Sequence, residues 1–137
     1  MADLIITAAN VLAGSGARTR DGTAGAAVTA GQVVYKDPAD RKWKPADCDS
    51  ATAAVRSPGA IALNGAANGQ PLEVLTEGPI TIGAVLTPGV AYYLSGNAGG
   101  ICPVADLGSG DYPTIVGLAL SASVLDVRFH EAKVALA

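Results

Sequence analysis

Apolar and polar residues alternate along most of the chain, and turn-forming residues break the alternation at short intervals. In DLIIT, Leu4 and Ile6 fall on one face. In GQVVYKD, Val33 and Tyr35 stand opposite Gln32, Val34 and Lys36. PLEVLTEG puts Leu72 and Val74 in and Glu73 out, and PITIG sets Ile80 and Ile82 together. GVAYYLSGNAGGICPVADL, residues 89–107, reads as a hairpin with Val90, Tyr92 and Leu94 on the inner side and Tyr93 facing out. YPTIVGLAL offers Val116, Leu118 and Leu120 to the interior, with Gly117 as a bulge or close-packing point. SVLDVRF points Leu125, Val127 and Phe129 inward, and Asp126 and Arg128 outward.

About eight strands at intervals of roughly 8–12 residues predict an all-β chain, an antiparallel sandwich or barrel. The pairs Asn64-Gly65 and Asn68-Gly69 suit tight turns between strands. DCDSATAAV gives at most one short helix, capped by Asp49 or Ser50. Residues 11–31, VLAGSGARTRDGTAGAAVTAG, hold too much Gly, Ala and Thr for a core and predict a long loop or arm. The expected organisation is therefore one domain: an N-terminal arm over 1–27, a β-sandwich over 28–129 and a tail over 130–137.

Composition sharpens this picture. Of 137 residues, 50% are hydrophobic but only 15% are charged, against roughly a quarter in ordinary soluble domains. So little charge predicts that part of the surface is covered by a partner or by copies of the chain. The formal net charge of −3 argues against nucleic acid as a partner. Between Ser57 and Val127 there is no Lys or Arg, while Arg18, Arg20, Lys36, Arg41, Lys42, Lys44 and Arg56 come earlier. The surface should then divide into a basic part and an acidic part, a polarity that suits docking. No segment approaches the ~20 apolar residues of a membrane span, and the first residues lack the basic start of a signal peptide, so no membrane is expected as a partner. Cys48 and Cys102, far apart and outside any CxxC pattern, are expected to be free, buried thiols.

Candidate chemistry is sparse. His130 is the only histidine, and no G-x-S-x-G elbow accompanies it. Asp37, Asp40, Asp47 and Asp49 lack the spacing of a calcium loop and have Arg41, Lys42 and Lys44 among them, so ion-paired turns are expected there. GSGARTRDG lacks the lysine and frame of a phosphate loop. No catalytic residue, metal or cofactor is expected. Contact residues are a different matter. Arg18 and Arg20 suit carboxylates of another chain. Trp43, flanked by Arg41, Lys42 and Lys44, serves either as an interface anchor or as the closure of one barrel end. Tyr93 offers outward contact area.

Three stretches carry a resemblance: TAGQVVYKD with KWKPADCDS (29–50), PGAIALNGAANGQPLEVLTEGPITIGAVLTPGVAYYLS (58–95) and GGICPVADLGSGDYPTIVGLALSASVLDV (99–127). Together, over roughly residues 28–129, they resemble the capsid cement, or decoration, proteins of short-tailed bacteriophages. The resemblance implies a jelly-roll β-fold and a non-enzymatic role on the outer surface of the virion, after synthesis in the host cytoplasm. It implies as partners a major capsid protein of HK97-like fold, clamped across subunit seams, and the chain itself, a dimer before a trimer. The alternative is a receptor- or glycan-binding module of a tail fibre or spike. The 4% aromatic content and the lack of a heptad stalk count against that alternative.

Overall fold

The computed structural model describes residues 3–137. The chain is all-β and antiparallel, with helical backbone confined to single 3-10 turns at Ala8–Asn10 and Val104–Asp106. Its ten strands are β1 (Leu12–Ala13), β2 (Arg18–Thr23), β3 (Val33–Lys36), β4 (Trp43–Pro45), β5 (Ala60–Ala62), β6 (Pro71–Thr81), β7 (Ala91–Leu94), β8 (Ile101–Pro103), β9 (Thr114–Ala119) and β10 (Val124–Glu131). They form one curled sheet in the order β4-β3-β5-β6-β10-β9-β7-β8, with β1 and β2 also laid against β6.

β6 organises the molecule. The first half of this 11-residue strand pairs with β2 and β5, and the second half with β1 and β10. The change of partners falls at Gly78, whose φ of +108° favours glycine; a Cβ there would sit 2.8 Å from the Ala17 Cα. Before Gly78 the odd position Leu75 faces the main core, and after it the even position Ile80 does. That inversion lets one strand serve two half-sheets.

The main core fills the space between the half-sheets with Leu75, Ile80, Ile82, Tyr92, Leu94, Ile101, Val116, Leu125 and Val127, joined by Val33, Tyr35 and Ile61. Behind it lies a second, smaller core of Ala24, Val28, Val34, Trp43, Ala60, Ala62, Ala66, Leu72 and Val74. The strands β4-β3-β5-β6-β2 curl around this one until Ala24 bridges Trp43. β3 and β5 are therefore covered on both faces, which is why their apolar residues run without alternation.

Most inward assignments stand, including Leu4 with Ile6, Val90 with Tyr92 and Leu94, and Leu125 with Val127 and Phe129. Four expectations change. Residues 11–31 are not all loop, because they supply β1 and β2; residues 1 and 2 of the expected arm lie outside the described residues. Of the remaining tail, Glu131 still belongs to β10, and Leu136 exchanges backbone hydrogen bonds with the 110–111 turn. Over 47–55, where the sequence predicts at most one short helix, none forms. Three successive turn bonds, from the Val55, Arg56 and Ser57 N–H groups to the Thr52, Ala53 and Ala54 carbonyls, close at its end, while the Cys48 N–H donates to Ser95 and its carbonyl accepts from Tyr112. Finally, Leu118 and Leu120 are exposed. β9 slips register against both neighbours around Gly117, where a Cβ would strike the Asp126 carbonyl, and Ala119 takes the inward place.

Candidate interaction surface

The sequence-named contact residues are split by the fold. β2 carries Arg18 and Arg20 with both faces of the strand open to solvent. The turn joining β3 to β4 carries Arg41 and Lys42, β4 itself carries Lys44, and the Ala24–Trp43 bridge brings them against the end of β2. Tyr93 stands apart, on β7 between β8 and β9, half-buried on the outer side as expected.

Within the basic group the side chains differ in freedom. Lys44 is committed: its ammonium donates to Asp37 at 2.6 Å and lies 3.1 Å from Asp40. That hydrogen bond holds the Asp37 carboxyl below its usual range. Asp40 is held low first by the Lys42 N–H and then by Lys44, and Lys44 is raised in turn. The expected ion-paired turn is present. Arg41 is exposed at a positive φ of 59°. Arg18 lies 3.7 Å from Glu77, a solvent-exposed pair worth little.

Trp43 is 7% exposed and packs into the second core, which matches barrel closure more than a protruding anchor. Two glycines make room for it. A Cβ on Gly22 would fall 2.6 Å from the indole Nε1, and one on Gly59 would lie 3.4 Å from the far ring edge. Lys36 rides over the ring at 5.9 Å. Lys36 thus belongs to the basic group, although its alternation with Tyr35 marked it only as outward.

Asp3, Asp49, Asp106 and Asp111 line a depression of about 560 Å³. None of its lining residues is a cation. Elsewhere the charges mix: Arg18 lies by Glu77, Lys44 by Asp37 and Asp40, and Asp126 shares a groove with Arg128, so the expected division into a basic and an acidic part holds only locally. Nearby Asp47 is pushed up to about 6 by burial, with Asp49 and Asp111 adding negative charge. Asp3, Cys102 and Asp106 bring one potential metal-ligand atom each within 4.8 Å. A metal there would have to replace the bonds Asp3 accepts from Ser95 (2.7 Å) and Asn97 (3.0 Å). It would also have to ionise a Cys102 thiol that burial pushes up to about 12. Cys48, raised likewise by burial, and Cys102 are both free and buried.

One surface escaped the sequence reading. Ile5, Leu12 and Val85, at 88%, 68% and 85% exposure, line a shallow cavity of about 690 Å³ with Thr7, Ala9, Asn10, Thr81, Gly83, Ala84 and Ser123. No charged residue lines it. Only spatial assembly joins these three positions, since Ile5 reads as the polar side of its own segment. His130 lies exposed in a separate groove with Ile115, Leu118, Asp126, Arg128 and Phe129, and no hydroxyl or thiol nucleophile lines that groove.

No family model matches the chain, and no match is found among curated proteins or solved structures.

Proposed function

We propose that this protein is a non-enzymatic structural component of a virion that binds the outer surface of a phage capsid and cements neighbouring shell subunits. The observation that carries the reading is the uncharged face of Ile5, Leu12 and Val85, three large apolar side chains left to solvent side by side. Adjacent exposed apolar side chains of this size mark a protein–protein contact more often than a free surface. The low overall charge and the likeness of residues 28–129 to decoration proteins support the same reading. A protein that binds a closed shell and not an opened one stabilises the closed form by mass action. Many copies on one shell let each contact remain weak.

The test is co-sedimentation of the purified protein with shells of its own phage lacking it, in unexpanded and expanded forms. Saturable binding at a fixed ratio, with the shell made more heat-resistant, is the expected result. Val85→Asp should abolish that binding while leaving the melting temperature of the free protein unchanged, because Val85 is exposed. Absence of binding to either form sinks the reading and favours the tail-fibre alternative, to be followed on glycan arrays.

A further inference from the structure

We propose that the open edge of β2 is a docking site for an extended acidic segment of a partner chain, which adds to the sheet as a strand and places one carboxylate in the notch formed by Arg20, Lys36 and Trp43. On its inner side β2 is laddered to β6, from Arg18 opposite Glu77 to Thr23 opposite Pro71, with one register shift between Arg18 and Thr19. On its outer side the fold touches it only at its end, where Ala24 bridges Trp43 and the Gly25 N–H donates to the Trp43 carbonyl. Before that point no strand pairs with this side of β2 among the described residues, so its outward main-chain groups, apart from the Arg18 carbonyl that accepts from the Thr76 hydroxyl, form an open edge. Such an edge is a template for strand addition.

The notch beside the edge supplies the chemical preference. Arg20, Asp21, Lys36, Trp43 and Thr76 line a space of about 240 Å³. Arg20 and Lys36 form no ion pair among the described residues, and with Asp21 in the same lining the notch holds one more cation than anion. The Trp43 Nε1–H makes no hydrogen bond among the described residues, although the side chain is more than nine-tenths buried. The lack of a Cβ at Gly22 leaves that donor open, since a Cβ would lie 2.6 Å from it. An indole donor that shares a notch with an arginine and a lysine matches a carboxylate, which accepts several charge-assisted bonds at once.

Because Trp43 is the only tryptophan, its fluorescence reports occupancy directly. The probe is a capped pentapeptide of alternating threonine and valine around a central glutamate, titrated into the full chain. Expected are a saturable change in Trp43 emission and slowed amide exchange in residues 18–23. The glutamine counterpart should bind at least about tenfold more weakly, and Arg20→Gln should weaken the glutamate peptide by a similar factor. Arg20 is exposed, so that variant retains the fold. Equal binding of the two peptides, or binding without protection of residues 18–23, overturns the proposal. So does an equal response to acetate alone, which would make the notch a free-anion site with no strand added. The site would serve the shell-docking role proposed above, yet the two fail separately. Peptide binding without shell binding removes the cement reading, and shell binding undiminished in Arg20→Gln removes the site.

Discussion

The two cores of this protein share a sheet but are built by different means. The main core has 18 buried members, most of them Val, Ile, Leu or Tyr, and no single side chain dominates it. The second core has nine, four of them alanine, and only Trp43 and Leu72 are large. A buried tryptophan removes about 150–250 Å² from water, more than any other single member of this core can offer. The comparison teaches that a small core can close around one residue, and that the surroundings must then be cut to fit it. Gly22 and Gly59 are the cuts.

The largest expected effect is therefore at Trp43. Trp43→Ala should cost about 3–5 kcal/mol. It should also separate the two regions: hydrogen exchange of β2 and β4 should become fast while β9 and β10 stay protected. If all ten strands open together, the second core is not a distinct unit. Ile80→Ala removes a fully buried side chain of the main core on the shared strand and should cost about 3 kcal/mol. Here the denaturant transition should remain single for every probe, because β6 belongs to both halves. Gly78→Ala attacks the junction, where a positive φ and the Ala17 backbone oppose a side chain. A loss of about 1–3 kcal/mol is expected, read from urea denaturation.

The smallest effect is a contrast in pH response. Asp47, beside the main core, is raised to about 6 in the folded chain from an ordinary 3.8. The folded state thus holds this proton more tightly, so its stabilisation is full below pH 3.8 and is lost as pH rises through about 6. Asp37 and Asp40, beside the second core, are lowered, so their contribution is present above 3.8 and lost as pH falls below it. Between those limits Asp47 sets the slope. Asp47→Asn should raise the melting temperature at pH 7.5 relative to wild type and flatten the change between pH 4.5 and 7.5. The gain should be at most about 1 kcal/mol after solvent screening. An unchanged slope in the variant would show that another group controls it.

How much of this was legible in the chain depends on which force placed each element. Strands held by burial of one face announced themselves, as with Ile80 and Ile82 or Val90, Tyr92 and Leu94. β2 did not, because Arg-Thr-Arg-Asp has no apolar side and is a strand only through its ladder to β6. Leu118 and Leu120 were misplaced by a bulge: Gly117 was visible as a candidate, but the direction of the slip depends on contact with the Asp126 backbone. For Trp43 the sequence left anchor and closure balanced, and a second core behind the sheet decided between them. The basic residues were named, Lys36 among them but not its place over Trp43, and the apolar face was missed, since its members come from three separate segments.

β6 has one further consequence. It is about 35 Å long at ~3.3 Å per residue and links the half-sheet that carries the β2 edge to the one beside Leu12 and Val85. Were the molecule held by a partner at each of those places, tension would travel along this strand. Its antiparallel hydrogen bonds lie across the pull and would bear it side by side, in shear, instead of parting one after another like a zip. A shell swelling under internal pressure would then find in this strand a tie rod.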